Sequence, residues 1–430
     1  MAGLNAVRSA WIDQASFQKA AEQKANHIRG HAIREDAFAQ GQPVTAFYRR
    51  LDERIRSLNE KGVVFDMVLG LDPNSVTRLF PSWQDRERYI RYMVARYSGF
   101  HVTWQVVSEF EGYENGRQLT KELGELIKKL DPYQHPRTAQ ALVTSSPLLA
   151  DGWMDYILYQ STDDQLGAIE HQLYAVPSVN AGLVNRDKDS FRRHLWNAAM
   201  SGQYPSGSLE GGEASGVWFD FMSKTRYWEM EPYFDLTEGA LALPGIEYII
   251  YIEKPGGPVE VRVEKHGYDV KWFNPLTGES IPAKEFKAER YAAEPPDSTH
   301  DWVLHISREG KKEGMLRSYK FESQPFQMQE VENLPVKIPF EIVQPIKGEF
   351  AAKSQVKYAV KLKRDTRATR AMMYLWTGEI AANGLGFRIL GTGSEGVLQT
   401  SLSGVMNVRV YGMNANGKVY ATDRIFRVSH

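Results

Sequence analysis

The chain has 430 residues, too many for one ordinary domain, and roughly two or three are expected. Its 52 basic and 53 acidic residues leave a formal net charge of −1, so composition gives no electrostatic case for a nucleic-acid partner. There is no Cys, which excludes disulfides, thiolate metal sites and a thiol nucleophile. No apolar run approaches the length of a membrane span. The 10 Trp and 21 Tyr suit a protein that meets the flat apolar faces of sugars, and equally a well-filled core. The opening residues MAGLNAVRSA do not read as a signal peptide, so a secreted or periplasmic location would require an export signal that has been removed.

From Met1 to about Tyr233 helix-like and strand-like runs alternate. Leu4 to Val7 is a short first strand, Ser16 caps a helix through Ala25, and Asn26 to Ile33 is a second strand. Phe47, Leu51, Ile55 and Leu58 recur at helix spacing, and Gly62 ends that helix. Val63 to Leu71 is nearly unbroken apolar sequence, as expected of a strand buried on both faces. Trp83 to Tyr97 is helical, with Tyr89, Ile90, Met93, Val94 and Tyr97 on one face. His101 to Val107 is rich in β-branched and aromatic residues and breaks at Ser108-Glu109. Trp104 is expected inside that strand. Leu119 to Leu130 is a helix closed by Asp131-Pro132, and strands follow at Arg137 to Val143 and Met154 to Gln160. A short helix includes Glu170 to Tyr174, Val176 to Asn180 leads into a turn, and Phe191 to Met200 is helical, with Trp196 in its core. Strands starting at Leu4, Asn26, Val63, His101, Arg137, Met154 and Val176, with another near Gln203, predict a (β/α)8 barrel.

From about Leu236 the pattern changes to strands alone. Glu247 to Ile252 and Val259 to Val263 flank the turn Pro255-Gly256-Gly257, and Val270 to Gly278 and Asp301 to Ile306 continue the series. A linker, Asn333 to Pro339, introduces a third block with strands at Val356 to Leu362, Ala371 to Trp376, Gly396 to Leu402 and Val405 to Met413. Asn414 to Gly417 is a hairpin signal, and an immunoglobulin-like sandwich is expected. The expected domains are therefore a barrel at 1–233, a β-sandwich at 234–330 and a second at 333–430.

The run ARYSGFHVTWQVVSEFEG resembles the fourth-strand signature of the apiosidase-like glycoside hydrolases and, more loosely, of the cellulase-like retaining clan. The family motif ends in Asn-Glu. Here Ser108 replaces the Asn, and Glu109 stands where the resemblance implies the acid/base. The W-F-x-P-x-T-G and D-W-V-L elements at Trp272 to Gly278 and Asp301 to Leu304 resemble the β-sandwich that follows the barrel in the same family. Such modules carry a collagen-binding label; packing against the barrel is the plainer role.

Retaining glycoside hydrolysis uses two carboxyl groups about 5 Å apart, one protonating the leaving oxygen and one attacking the anomeric carbon. The resemblance places the second at the end of strand seven, in the stretch Pro177 to Val184. The residue at that position is Gly182, 182 − 109 = 73 residues after the first. Gly has no carboxylate, so either the protein holds sugar without cleaving it or another acid substitutes. Candidates are Glu210 and Glu213 in the loop after strand eight, or Asp163 and Asp164 after strand six as the base of an inverting pair. Glu111 and Glu114 read as loop acids. His31, Asp72, Tyr159, Gln160 and Asn180, at or near strand ends, either bind sugar or brace the strands. Arg29-Gly30-His31 lacks metal-ligand spacing, there is no H-E-x-x-H or P-loop, and no cofactor or metal is expected. The expected partner is a polysaccharide or oligosaccharide.

Overall fold

A computed structural model of the chain describes residues 6–8, 19–39, 41–70, 75–141, 144–160, 167–174, 176–181, 187–208, 213–233, 239–284, 286, 289–310, 340–344, 349–351, 354–362, 368–377, 388–391, 395–399, 404–414 and 419–429. The first part contains eight parallel strands: β1 Ala6–Arg8, β2 His27–His31, β3 Val64–Val68, β4 Val102–Gln105, β5 Arg137–Thr138, β6 Ile157–Tyr159, β7 Ser178–Asn180 and β8 Tyr204–Ser208. They lie side by side in the order β5-β4-β3-β2-β1-β8-β7-β6. The two ends of that series meet, because Asp155 N donates to Arg137 O at 2.9 Å and Thr138 Oγ1 to Tyr156 O at 2.8 Å. The result is a closed (β/α)8 barrel. Its first strand is short but pairs on both sides, Ala6 with His27 and with Ser206.

The helices follow from their apolar stripes. Helix α1, Thr45–Asn59, buries Phe47, Leu51, Ile55 and Leu58 with Tyr48, and Gly62, at φ 75°, suits the turn that ends it. After α2, Ser75–Leu79, comes α3, Trp83–Tyr97, whose N-cap Ser82 accepts from Asp85 N at 3.1 Å. Its buried face is Tyr89, Ile90, Met93, Val94 and Tyr97, as the spacing predicts. Helix α4, Gly116–Leu130, brings Gly124 so close to the fully buried Trp153 that a Cβ would lie 2.3 Å from the indole. Between β5 and β6 a 3-10 turn, Ser146–Asp151, takes the place of a helix. Helices α5, Gly167–Leu173, α6, Lys188–Met200, and α7, Glu213–Met222, complete the ring.

The second block has a six-stranded antiparallel sheet. Its strands are β9 Glu231–Pro232, β10 Gly239–Leu243, β11 Glu247–Ile252, β13 Tyr268–Phe273, β14 Ser280–Pro282 and β16 Trp302–Arg308, in the order β9-β10-β11-β16-β13-β14. Strands β12, Val259–Arg262, and β15, Arg290–Ala293, pair separately, so the Pro255-Gly256-Gly257 turn joins two different sheets. All six residues of β11 are buried, because this sheet is covered on both sides. Tyr248, Ile250 and Ile252 pack with Val261 and Tyr291 of the small sheet, while Ile249 and Tyr251 meet Trp196 and Phe221 of α6 and α7. Trp196, expected in a core, is stacked on Tyr251 with ring centres 5.7 Å apart. The Val270 to Gly278 strand ends at Phe273, and Asn274 Oδ1 then caps a turn by accepting from Leu276 N at 2.9 Å.

A buried ion pair reinforces this contact. Arg192 of α6 donates through Nε and Nη2 to Asp301, at 3.0 and 2.7 Å, and Tyr251 donates its hydroxyl to the same carboxylate at 2.8 Å. Asp301 is the first residue of the D-W-V-L element. Further along lie a three-stranded sheet, from Phe340–Gln344, Gln355–Leu362 and Glu395–Gln399, and a five-stranded one that includes Ala368–Thr377, Gly404–Asn414 and Val419–Ser429. The hairpin signal from Ala415 to Gly417 lies outside the described residues.

Candidate active site

In a parallel barrel the residues just beyond the strands gather at one mouth. Along β4 the side chains alternate. Thr103 and Gln105 point into the barrel, while Trp104 faces the helices and donates through Nε1 to Asp131 Oδ2 at 2.9 Å, at the end of α4. Trp104 is thus buried between sheet and helices. Past Gln105 the chain remains tied to its neighbours: Val106 N donates to Thr138 O at 2.9 Å and Ser108 N to Gly70 O at 3.0 Å.

Glu109 follows, half-buried, with φ 49° and ψ 66°. A side-chain-bearing residue in this left-handed region costs on the order of 1 kcal/mol, so the neighbouring structure must hold it there. Gly112 N donates to its carbonyl at 3.0 Å, and Phe110 N to Gln140 O at 3.2 Å. Fixed backbone at the end of the fourth strand aims this carboxylate.

Arg29 is the centre of the surrounding polar cluster. The period of β2 puts His27, Arg29 and His31 on one face. The Arg29 guanidinium donates to Gln105 Oε1, to Gln140 Oε1 and, at 3.4 Å, to Ser108 Oγ. Gln140 Nε2 in turn donates to Gln160 Oε1 at 3.1 Å, and Gln160 Nε2 to Ala141 O at 3.2 Å. One layer deeper, Asp66 accepts from Thr103 Oγ1 at 2.7 Å and from the Tyr156 hydroxyl at 3.0 Å. Asp66 is the polar exception in the apolar Val63 to Leu71 run.

Burial pulls the Arg29 guanidinium below its usual value, opposed by the attraction of Asp66, Tyr156 and Glu109. His31 is pushed down to about 4, first by burial and then by repulsion from Arg29, so its imidazole is neutral at pH 7. Burial likewise lowers His27.

Glu109, His31 and Gln160 are therefore gathered around Arg29. Tyr159 and Asn180 are placed elsewhere. Tyr159 is fully buried in the layer between sheet and helices, with Ile157, Ala139 and Leu148. Asn180 Nδ2 donates to Gln203 Oε1 at 2.9 Å, and Gln203 Nε2 to Ser178 Oγ at 3.0 Å. This trio packs under α5, where a Cβ on Gly167 would lie 2.0 Å from Gln203. Asp72, Gly182, Asp163, Asp164 and Glu210 lie outside the described residues. Glu213 opens α7 and is exposed. Arg29 escaped the sequence reading, although its place in the alternation of His27 and His31 marked it as facing inward. Among the described residues no group of three or more His, Asp or Glu side chains is arranged to hold a metal ion, and no helix is long and apolar enough to cross a membrane. Among the described residues the mouth thus brings together the Glu109 carboxyl group, a fixed cation, a neutral imidazole and a chain of carboxamides.

Residues 3–198 match the family model "Apiosidase-like, catalytic domain". Residues 238–307 match the model "Putative collagen-binding domain of a collagenase". Among solved structures, a glycoside hydrolase family 5 protein from Bacteroides vulgatus ATCC 8482 is similar with a TM-score of 0.61 and 13% identity, over 71% of this chain and 90% of that one. Another, described as a glycoside hydrolase, has a TM-score of 0.59 and 12% identity, over 71% of this chain and 93% of that one. No curated protein matches the chain in sequence. At such identities the structural likeness shows the fold alone.

Proposed function

For a chain that resembles the apiosidase-like glycoside hydrolases over residues 3–198, we propose an action on a polysaccharide or oligosaccharide, with Glu109 as the acid/base. The family match over residues 3–198 supports a glycosidase-type protein. The observation that supports Glu109 as the acid/base is its position at the end of the fourth parallel strand, in a backbone conformation that the surrounding bonds must hold. In this reading the Glu109 carboxylic acid protonates the leaving oxygen of the glycosidic bond. His31 and Gln160 hydrogen-bond the sugar, and Arg29 holds the carboxamides in place. Tyr159 and Asn180 act as braces of the sheet.

Gly182 stands where the family carries its nucleophile, and Gly offers no group to attack the anomeric carbon. Two outcomes follow from that residue. Either an acid such as Asp163, Asp164, Glu210 or Glu213 supplies the second carboxylate, or the barrel binds sugar without cleaving it. Gly182→Glu separates them on an activated aryl glycoside. If the position is vacant, the substitution adds or raises turnover. Brisk turnover by the unmodified protein that Gly182→Glu abolishes would overturn the vacancy and assign the chemistry to another acid. We also propose that the strand blocks at 234–330 and 333–430 are two β-sandwich domains, the first serving to pack against the barrel at 1–233.

A further inference from the structure

A cavity of about 310 Å³ lies at the opposite end of the barrel from Glu109. Pro177 and Gln203, which line it, precede β7 and β8, whereas Glu109 follows β4, so the two places are on opposite faces. Flat apolar faces come from Tyr174, Tyr204 and Trp228, and polar groups from His171 and Glu231, while the Gln203 amide in the wall is already bonded to Asn180 and Ser178. His171 Nε2 meets Glu231 Oε2 at 2.6 Å, and the Glu231 side chain is 69% exposed. The imidazole is seated against the backbone of Gly202, whose φ is 79° and where a Cβ would lie 2.6 Å from the ring. Burial, and secondarily the charge of Glu231, push the Tyr204 hydroxyl up to about 12, so it remains a donor at neutral pH.

The chemistry of these walls restricts the ligand. A phosphate or carboxylate would face Glu231. A wholly apolar ligand would strip water from the Glu231 carboxylate and the His171 imidazole without replacing their bonds. An uncharged polyol with one apolar face satisfies both the rings and the polar groups, and the volume lies at the lower end for ligand pockets, roughly 300 Å³. We propose that this cavity is a second carbohydrate site, which holds a neutral pyranose ring of a short oligosaccharide without cleaving it. It stands apart from the mouth and does not depend on whether Glu109 catalyses.

The test is calorimetric titration of xylobiose and cellobiose into the full chain carrying Glu109→Gln, so that neither sugar is consumed. Saturable binding is expected for at least one of them. Adding Glu231→Gln, a change at an exposed side chain, should weaken it about tenfold through loss of a charge-assisted hydrogen bond. Adding Gly202→Ala, which displaces His171, should also weaken it. Circular dichroism checks that each variant is folded. No binding of either sugar overturns the proposal. So does binding that survives Glu231→Gln unchanged.

Discussion

The ion pair between Arg192 and Asp301 is the sharpest test of how the first sheet block is fixed to the barrel. The Arg192 side chain is 8% exposed and that of Asp301 is 2%, so both charges are out of water. Asp301→Ala removes three charge-assisted hydrogen bonds from Arg192 and the acceptor of the Tyr251 hydroxyl, and leaves Arg192 the exposed Asp189, at 2.6 Å, as its counter-ion among the described residues. Breaking one side of a buried pair costs about 3–5 kcal/mol. For a cooperative unit of about 150–250 residues, at about 2–4 °C per kcal/mol, that is a fall in Tm of roughly 6–20 °C. The assay is thermal unfolding followed by tryptophan fluorescence, to which Trp196 at this contact contributes as one of 10 Trp. Replacing both partners, as Arg192→Met with Asp301→Leu, should recover most of the loss, because a buried pair exchanged for apolar residues is often near neutral. A fall below about 2 °C in Asp301→Ala would refute the reasoning.

Three further outcomes are expected. His31 has a folded pKa of about 4 against an ordinary value of 6.5. The unfolded chain therefore binds the extra proton, and stability falls as pH drops from 6.5 to 4, by at most about 1.4 kcal/mol per pH unit. Urea midpoints across that range should show the slope, and His31→Asn should reduce it. Gly124→Ala gains about 1 kcal/mol of helix propensity, but the new Cβ would lie 2.3 Å from the Trp153 ring. Overpacking of about 1–3 kcal/mol outweighs the gain, so the urea midpoint should fall; an unchanged or higher midpoint would contradict the packing described. Arg29→Met should leave the Gln105 and Gln140 oxygens without their donor, at about 1–3 kcal/mol each, and the variant should unfold at lower urea than the parent.

The helices were legible because a single apolar stripe decides them. Leu51 and Ile55 in α1, and Met93 and Val94 in α3, face inward as their spacing requires. Strands were legible as strands, but a period of two does not say which phase faces the barrel axis. Tyr159 and Asn180 stand near strand ends like Gln160, yet they face the helices, a matter set by register with neighbouring strands. Arg29 was hidden for a related reason. Its partners Gln105, Ser108 and Gln140 come from strands far apart in sequence, and only closure of the barrel brings them together. The run of apolar residues in β11 marked a strand, while the two layers that bury it, α6 and α7 on one side and β12 with β15 on the other, came from distant segments.

The most direct test of the central claim compares leaving groups. A general acid matters most when the departing oxygen needs a proton and least when it departs as a stable anion. The same sugar is presented as its dinitrophenyl glycoside and as an unactivated oligosaccharide, and the turnover of Glu109→Gln is measured on both, in the unmodified protein if it is active or in the Gly182→Glu background if it is not. If Glu109 is the acid, turnover of the oligosaccharide falls by at least about a hundredfold, while the dinitrophenyl glycoside loses far less. Equal losses on both substrates, or no loss on the oligosaccharide, would contradict that role.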